Sequence, residues 1–196
     1  MKRKSYHHGD LKSALFKACH KLLKTTDPNE ISLRAVADMA GVSHSAIYRH
    51  FKDKEELLEV MAAYGFDRLG SVQKKAFDKE RNSEEGFLQL GLAYIKFATS
   101  NPNYYKIMFF TKRENPGLLL KRAQIRSYSV LVSSCRIFLK DKSKQKEPRE
   151  YSLMCWSLVH GFSNLCIETG VPKSEAQALK KSLPDFALEI LRSALL

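Results

Sequence analysis

Apolar residues recur along this chain at three- and four-residue spacing almost throughout. Leu11, Leu15, Ala18, Leu22 and Leu23 form one stripe, while Lys12, Lys17, Lys21 and Lys24 lie mostly off it. That pattern predicts an amphipathic helix opening at Gly9-Asp10, with Asp10 as its N-cap. The run 25–30, TTDPNE, ends it, because Pro28 cannot continue a helix. No stretch alternates apolar and polar residues convincingly, and no Asn-Gly or Asp-Gly hairpin signal occurs. The expected fold class is all-α.

From Ile31 the periods shorten. Ser32 can cap a short helix reaching about Ala40, and Gly41 supplies the break. Ser43 caps a second short helix ending near Phe51. Asp53 caps a third, long one to about Lys79, with Glu55 and Glu56 in the first turn, where the helix dipole favours acids. Beyond about residue 83 the helices become larger and more apolar. GFLQLGLAYIKFA (86–98) is apolar nearly all round, which predicts a helix buried on several sides. NPNYYKIMFF (101–110) reads as a short aromatic helix, followed by a long helix from near Pro116 to about Leu139. KDKSKQKEPR (140–149) is a charged, solvated linker. YSLMCWSLVHGFSNLCIETG (151–170) is a helix apolar on opposite faces, ended by Gly170 and Pro172. The final segment, 174–196, is one helix kinked at Pro184 or two joined there, with an apolar stripe of Ala187, Ile190, Leu191, Ala194 and Leu195.

Charge changes the picture more than composition does. Lys and Arg number 33 against 21 Asp and Glu, a formal net charge of +12. That excess favours a polyanionic partner. Neither a signal peptide nor a membrane-length apolar run is present, so a cytoplasmic protein is expected, with no membrane partner. Cys19, Cys135, Cys155 and Cys166 show no CxxC pair and no zinc spacing. They read as buried apolar residues, with neither a disulfide framework nor a metal site, and no cofactor is expected.

Two short helices joined through a glycine turn suggest a helix-turn-helix over 32–51. The motif needs a small residue where its helices cross, a turn tolerant of positive φ, and apolar locks. Ala37, Gly41, Val36, Ala40, Val42 and Ile47 meet those needs in register. On the second helix Ser43, His44, Ser45, Tyr48 and Arg49 project away from Ile47. Short residues at its start let it enter a major groove, where hydroxyl, imidazole and guanidinium groups reach base edges. Tyr48, His50 and Lys54 suit phosphate oxygens, and Arg34 can touch the backbone or a flanking base. An ordinary αα-hairpin meets the packing demands equally well; the outward polar face favours double-stranded DNA.

The run ISLRAVADMAGVSHSAIYRHFKDKEELL (31–58) resembles the DNA-binding domain of TetR-type transcriptional regulators, through Gly41, Val42, Ser43, Tyr48, His50, Phe51, Lys54 and Leu57. SYHHGDL (5–11) and WSLVHGFSNL (156–165) are similar to a subgroup whose C-terminal domain is marked by Trp, His and Gly, here Trp156, His160 and Gly161. The resemblance implies a helix-turn-helix domain over 9–69 and a helical ligand-binding and dimerisation domain over 83–196. It also implies an Ω-shaped homodimer that binds a palindromic operator and is released by a small-molecule effector. The same fold also serves an architectural or DNA-organising protein without an effector.

The remaining candidates carry less chemistry. His7 and His8 point apart on a helix and lack a Cys or Glu cluster, which disfavours metal. With Lys2, Arg3 and Lys4 they form a phosphate-contacting arm or a solvated tail. His160 and Cys155 fall on different helix faces, which argues against a catalytic dyad. His160 is either a buried, bonded histidine or part of a pocket lining. Tyr94, Phe97, Tyr104, Phe109 and Trp156 are core aromatics which, in the family resembled, would also enclose the effector. No paired carboxylates, phosphate-binding glycine loop or nucleophile motif favour an enzyme.

Overall fold

The computed structural model describes residues 8–111, 113–142, 146–168, 184–185 and 187–195. All regular structure among them is helical: α1 (His8–Leu22), α2 (Leu33–Ala40), α3 (His44–Ile47), α4 (Lys54–Lys79), α5 (Ser83–Ser100), α6 (Pro102–Phe109), α7 (Leu118–Asp141) and α8 (Pro148–Glu168). Residues 187–195 are also helical. The boundaries follow the capping residues. Ser32 Oγ accepts from Ala35 N (3.1 Å) and opens α2. Asp53 Oδ1 accepts from Glu56 N (2.8 Å), and Glu56 Oε2 in turn accepts from Lys52 N (2.7 Å), so two donors at the start of α4 are satisfied reciprocally. Asn82 Oδ1 caps α5 by accepting from Glu84 N (2.8 Å). Pro148 opens α8, where its missing N–H costs nothing.

Two expectations shift. α1 runs back to His8, so Asp10 lies inside the helix and is not its N-cap; Gly9 is tolerated there because the first turn leaves its N–H groups without intrahelical partners anyway. α3 has only four residues, and the chain continues to Phe51 in tighter turns (His50 N to Ile47 O, 2.9 Å; Phe51 N to Ile47 O, 3.0 Å). Gly170, Pro172 and residues 174–183, with His7 and the basic residues before it, lie outside the described residues.

The chain forms two compact units. The first comprises Met1–Gly65 and Asn103–Lys121. Its core is Leu15 and Cys19 of α1, Leu23 just beyond its end, Val36 and Ala37 of α2, Ile47, Phe51, and Leu57 and Met61 of α4, all at most 2% exposed. α6 belongs to this unit although it lies between two helices of the other. Asn103 Nδ2 donates to Leu23 O (3.1 Å) and Thr26 O (3.0 Å), capping the end of α1. Lys106 Nζ pairs with Asp27 (2.8 Å), an attraction that holds the Asp27 carboxyl below its ordinary pKa. Tyr104 Oη meets His20 Nδ1 (2.7 Å), and Gly65 leaves room for the Met108 side chain.

The second unit comprises Phe66–Pro102 and Arg122–Leu196. α5 runs through its core, burying Phe87, Leu88, Leu90, Tyr94, Ile95 and Ala98. Phe87 stacks on Phe138 (centroids 4.9 Å, 9°), and Phe138 on Tyr151 (6.1 Å, 14°). Tyr151 Oη donates to Leu195 O (3.0 Å), and Leu191 packs on Gly91, so Ala187, Leu191 and Leu195 seat the C-terminal helix. Ile190 stays half-buried and Ala194 exposed.

Candidate nucleic-acid interface

The geometry of 32–54 begins with one glycine. Gly41 has φ 68° and ψ 33°, the left-handed conformation, and among the described residues it is the glycine with positive φ. Its N–H bonds to Asp38 O (3.1 Å) and that of Val42 to Ala37 O (3.0 Å), which terminates α2 and redirects the chain. Ala37 and Ile47 are both fully buried, so α3 rests on α2 through a small residue and an anchoring one. A four-residue helix cannot sustain itself in water, and this packing is what holds it.

Everything polar on α3 and its flanks then faces outward. Ser43, His44, Ser45, Tyr48 (56%) and Arg49 are exposed, as is Arg34 on α2; His50 and Lys54 are half-buried. α3 itself carries no carboxylate. Ser43 Oγ and Ser45 Oγ hydrogen-bond each other at 3.1 Å. His44 and Lys54 are engaged within the chain as well: His44 Nε2 meets Asp38 Oδ1 at 2.8 Å, and Lys54 Nζ donates to Asn29 O at 2.7 Å. Both bonds are exposed and open at low cost, since water replaces the lost partner. Lys52 was not among the expected contacts, yet its side chain is 86% exposed between His50 and Lys54. The sequence signal was there: a cation in the turn joining two DNA-facing elements.

Comparison with known proteins bears on this arrangement directly. Residues 15–61 match the model of bacterial regulatory proteins of the tetR family, and 87–188 match that of the tetracyclin repressor-like C-terminal domain. The chain belongs to the TetR family. It is a DNA-binding transcriptional regulator with a helix-turn-helix. An uncharacterized HTH-type transcriptional regulator of Haemophilus influenzae is 27% identical over 127 residues, 65% of this chain and 60% of that protein. The nucleoid occlusion factor SlmA of Shewanella pealeana is 28% identical over 130 residues, 66% of this chain and 64% of its own. The matched region therefore spans about 60% of the length of these two relatives. Among solved structures, a Rhodococcus sp. RHA1 protein of unknown function has a TM-score of 0.74 at 24% identity, covering 95% of this chain and 98% of that one. The fatty acid degradation regulator FadR of Bacillus halodurans has a TM-score of 0.66 at 15% identity, covering 90% and 97%. At these identities the structural matches establish the TetR fold.

The six side chains expected around an effector fall into two groups. In the second unit Tyr94, Trp156 and His160 meet: Tyr94 Oη lies 2.8 Å from His160 Nδ1, and Trp156 Nε1 donates to Tyr94 Oη at 3.3 Å. If Tyr94 accepts from the indole and donates onward, His160 carries its proton on Nε2. Phe97, on the same helix as Tyr94, is half-buried. Tyr104 and Phe109 belong to the first unit, where Tyr104 pairs with His20 and Phe109 packs on Tyr105 at 5.0 Å.

Burial lowers the His160 pKa below its ordinary 6.5. The sign follows from linkage. Below pH 6.5 the unfolded chain protonates first, so the neutral buried imidazole stabilises the fold above that pH. The contribution is lost as pH falls through the folded-state pKa. Urea midpoints between pH 7.5 and 5 should therefore fall less in His160→Gln than in the parent chain; identical slopes would contradict the burial argument.

Proposed function

We propose that this regulator is a homodimeric repressor whose two α3 segments read a palindromic operator and which a small ligand releases. The observation that carries the DNA half is the outward face around α3: hydroxyl and imidazole groups on a helix anchored by Ile47 behind Gly41, and the Tyr48 phenol and Arg49 guanidinium in the turn that follows it. We assign Ser43, His44, Ser45 and Arg49 to base edges, and Arg34, Tyr48, His50, Lys52 and Lys54 to phosphates.

Support for the dimer comes from α8. Leu153 (55%), Ser157, Gly161 and Leu165 (60%) recur every four residues along its exposed side, with Met154 beside them, and no charge interrupts the row. Exposed Ala194 and half-buried Ile190 continue an apolar edge on the C-terminal helix. A second copy of the same helices is the natural cover for such a face, in a four-helix interface of small and apolar residues. The effector reading rests on the Tyr94–Trp156–His160 group within an aromatic core. Its ligand must distinguish two states by about 1.4 kcal/mol for every tenfold loss of operator affinity. The similarity to SlmA favours a second reading, a DNA-organising protein without an effector.

The test is selection of bound fragments from the host genome, followed by binding measured on the selected palindrome and on random DNA. Arg49→Ala should weaken the palindrome by about 1–3 kcal/mol more than random DNA. Lys52→Ala should weaken both alike and lower the salt slope by about 1. A reversal of those two patterns would overturn the assignment. Selected sites scattered across the chromosome, with an affinity that no metabolite alters, would favour the organising reading.

A further inference from the structure

Asp38 stands where an acid has little to gain. It is the one carboxylate between Glu30 and Asp53, and the other charged side chains of that stretch, Arg34, Arg49 and Lys52, are cations. Its side chain is 69% exposed, so burial gives it no task in the core. It lies in the last turn of α2, where the helix dipole disfavours negative charge. What it does hold is His44, the first residue of α3: Oδ1 lies 2.8 Å from Nε2. The left-handed Gly41 makes that contact possible, because it turns α3 back towards the end of α2. Taking α3 as the base-contacting element, we propose that Asp38 is a positioning residue for base reading, which fixes the tautomer of His44 so that Nδ1 accepts a hydrogen bond from adenine or cytosine.

The bond decides which ring nitrogen is left for the groove. An ionised carboxylate only accepts, so Nε2 carries the hydrogen and donates it. In the neutral ring Nδ1 is then bare, an acceptor, and no group among the described residues bonds it. In the major groove adenine offers N6–H and cytosine N4–H, whereas guanine and thymine offer acceptors. His44 so held selects the first two on the strand it reads. Without Asp38 the ring can carry its hydrogen on Nδ1 and serve guanine or thymine instead. In the free protein the pair is solvated, with the imidazole 50% exposed, and it opens at low cost. Against DNA, opening would leave a carboxylate without water or partner beside phosphates, so closing the interface tightens the bond.

The experiment uses the full chain at about pH 8, above the ordinary range of imidazole titration. Its probes are the selected palindrome and variants in which each base pair is replaced symmetrically in both half-sites. The parent chain should prefer adenine or cytosine by about tenfold at one position whose preference Arg49→Ala leaves unchanged. His44→Ala should level that preference, and Asp38→Ala should level it equally. The double variant should add nothing, because Asp38 acts through His44. Random-DNA affinity should rise in both Asp38→Ala and Asp38→Asn, since each removes a charge that repels phosphate. Asparagine keeps the shape but can donate as well as accept, so Asp38→Asn should hold the ring in place and still blunt the preference. An Asp38 that merely supports the fold would shift every position alike, or relax the preference in the His44→Ala background too. The proposal fails on either result, on an unchanged preference in Asp38→Ala, or on guanine or thymine at the His44 position. Arg49→Ala separates the two levels. If it relaxes the palindrome's specificity while Asp38→Ala does not, α3 remains the reading element and only the role of Asp38 falls.

Discussion

Gly161→Arg is expected to yield a folded monomer whose affinity for the palindrome falls by at least about a hundredfold. Two half-sites bound by one dimer gain an effective-concentration advantage of about 10²–10⁴ over independent monomers. The position suits the test because a Cβ built at Gly161 meets nothing within 4 Å in the single chain. Its φ lies outside the positive region, and it sits in mid-helix, so an arginine there raises helix propensity rather than straining it. Any loss of binding then reflects what a second copy places against that face. Sedimentation should show the monomer mass with unchanged far-ultraviolet circular dichroism. A Gly161→Arg protein that still sediments as a dimer and binds at parental affinity would remove α8 from the interface. Gly161→Ala, which adds one methyl group, should fall between the two.

The helices were legible because their boundaries are local chemistry. Ser32, Gly41, Asp53 and Asn82 each act on a backbone group within three residues or through their own φ, and such signals survive in a single sequence. The placement of α6 was not legible. Its apolar period is compatible with either unit, and what assigns it are Asn103, Tyr104 and Lys106 meeting α1 and the turn after it, contacts about eighty residues apart. The TetR C-terminal model spans α6 in sequence, while its packing belongs to the N-terminal unit. Sequence order and spatial grouping differ there for a concrete reason: polar groups on α6 satisfy carbonyls at the end of α1.

The candidate site divides the same way. That Ser43, His44, Ser45, Tyr48 and Arg49 face outward follows from helical spacing once Ile47 is known to face in. That His44 holds Asp38 and Lys54 holds Asn29 depends on rotamers and on a loop closing against α4, which spacing does not fix.

Ile47→Asp should abolish operator binding while leaving the second unit's unfolding transition in place. Ile47 is 0% exposed and is the one residue of α3 in the core. A carboxylate there is left without a partner, at a cost of several kcal/mol. A four-residue helix contributes little of its own stability, so the cheaper response is for α3 to detach rather than for the whole chain to unfold. Once α3 detaches, Ser45 and Arg49 lose the fixed geometry that base readout needs, and specific binding falls to the level of random DNA. The protein reports on itself, because its single tryptophan, Trp156, lies in the second unit. Urea unfolding followed by tryptophan fluorescence should keep its midpoint in Ile47→Asp, as operator affinity falls at least a hundredfold, about 2.7 kcal/mol. Ile47→Val should cost only about 0.5–1.5 kcal/mol and keep specific binding. Operator affinity retained within threefold in Ile47→Asp would mean that α3 is not the reading element, and the DNA face would then have to be sought elsewhere on the chain.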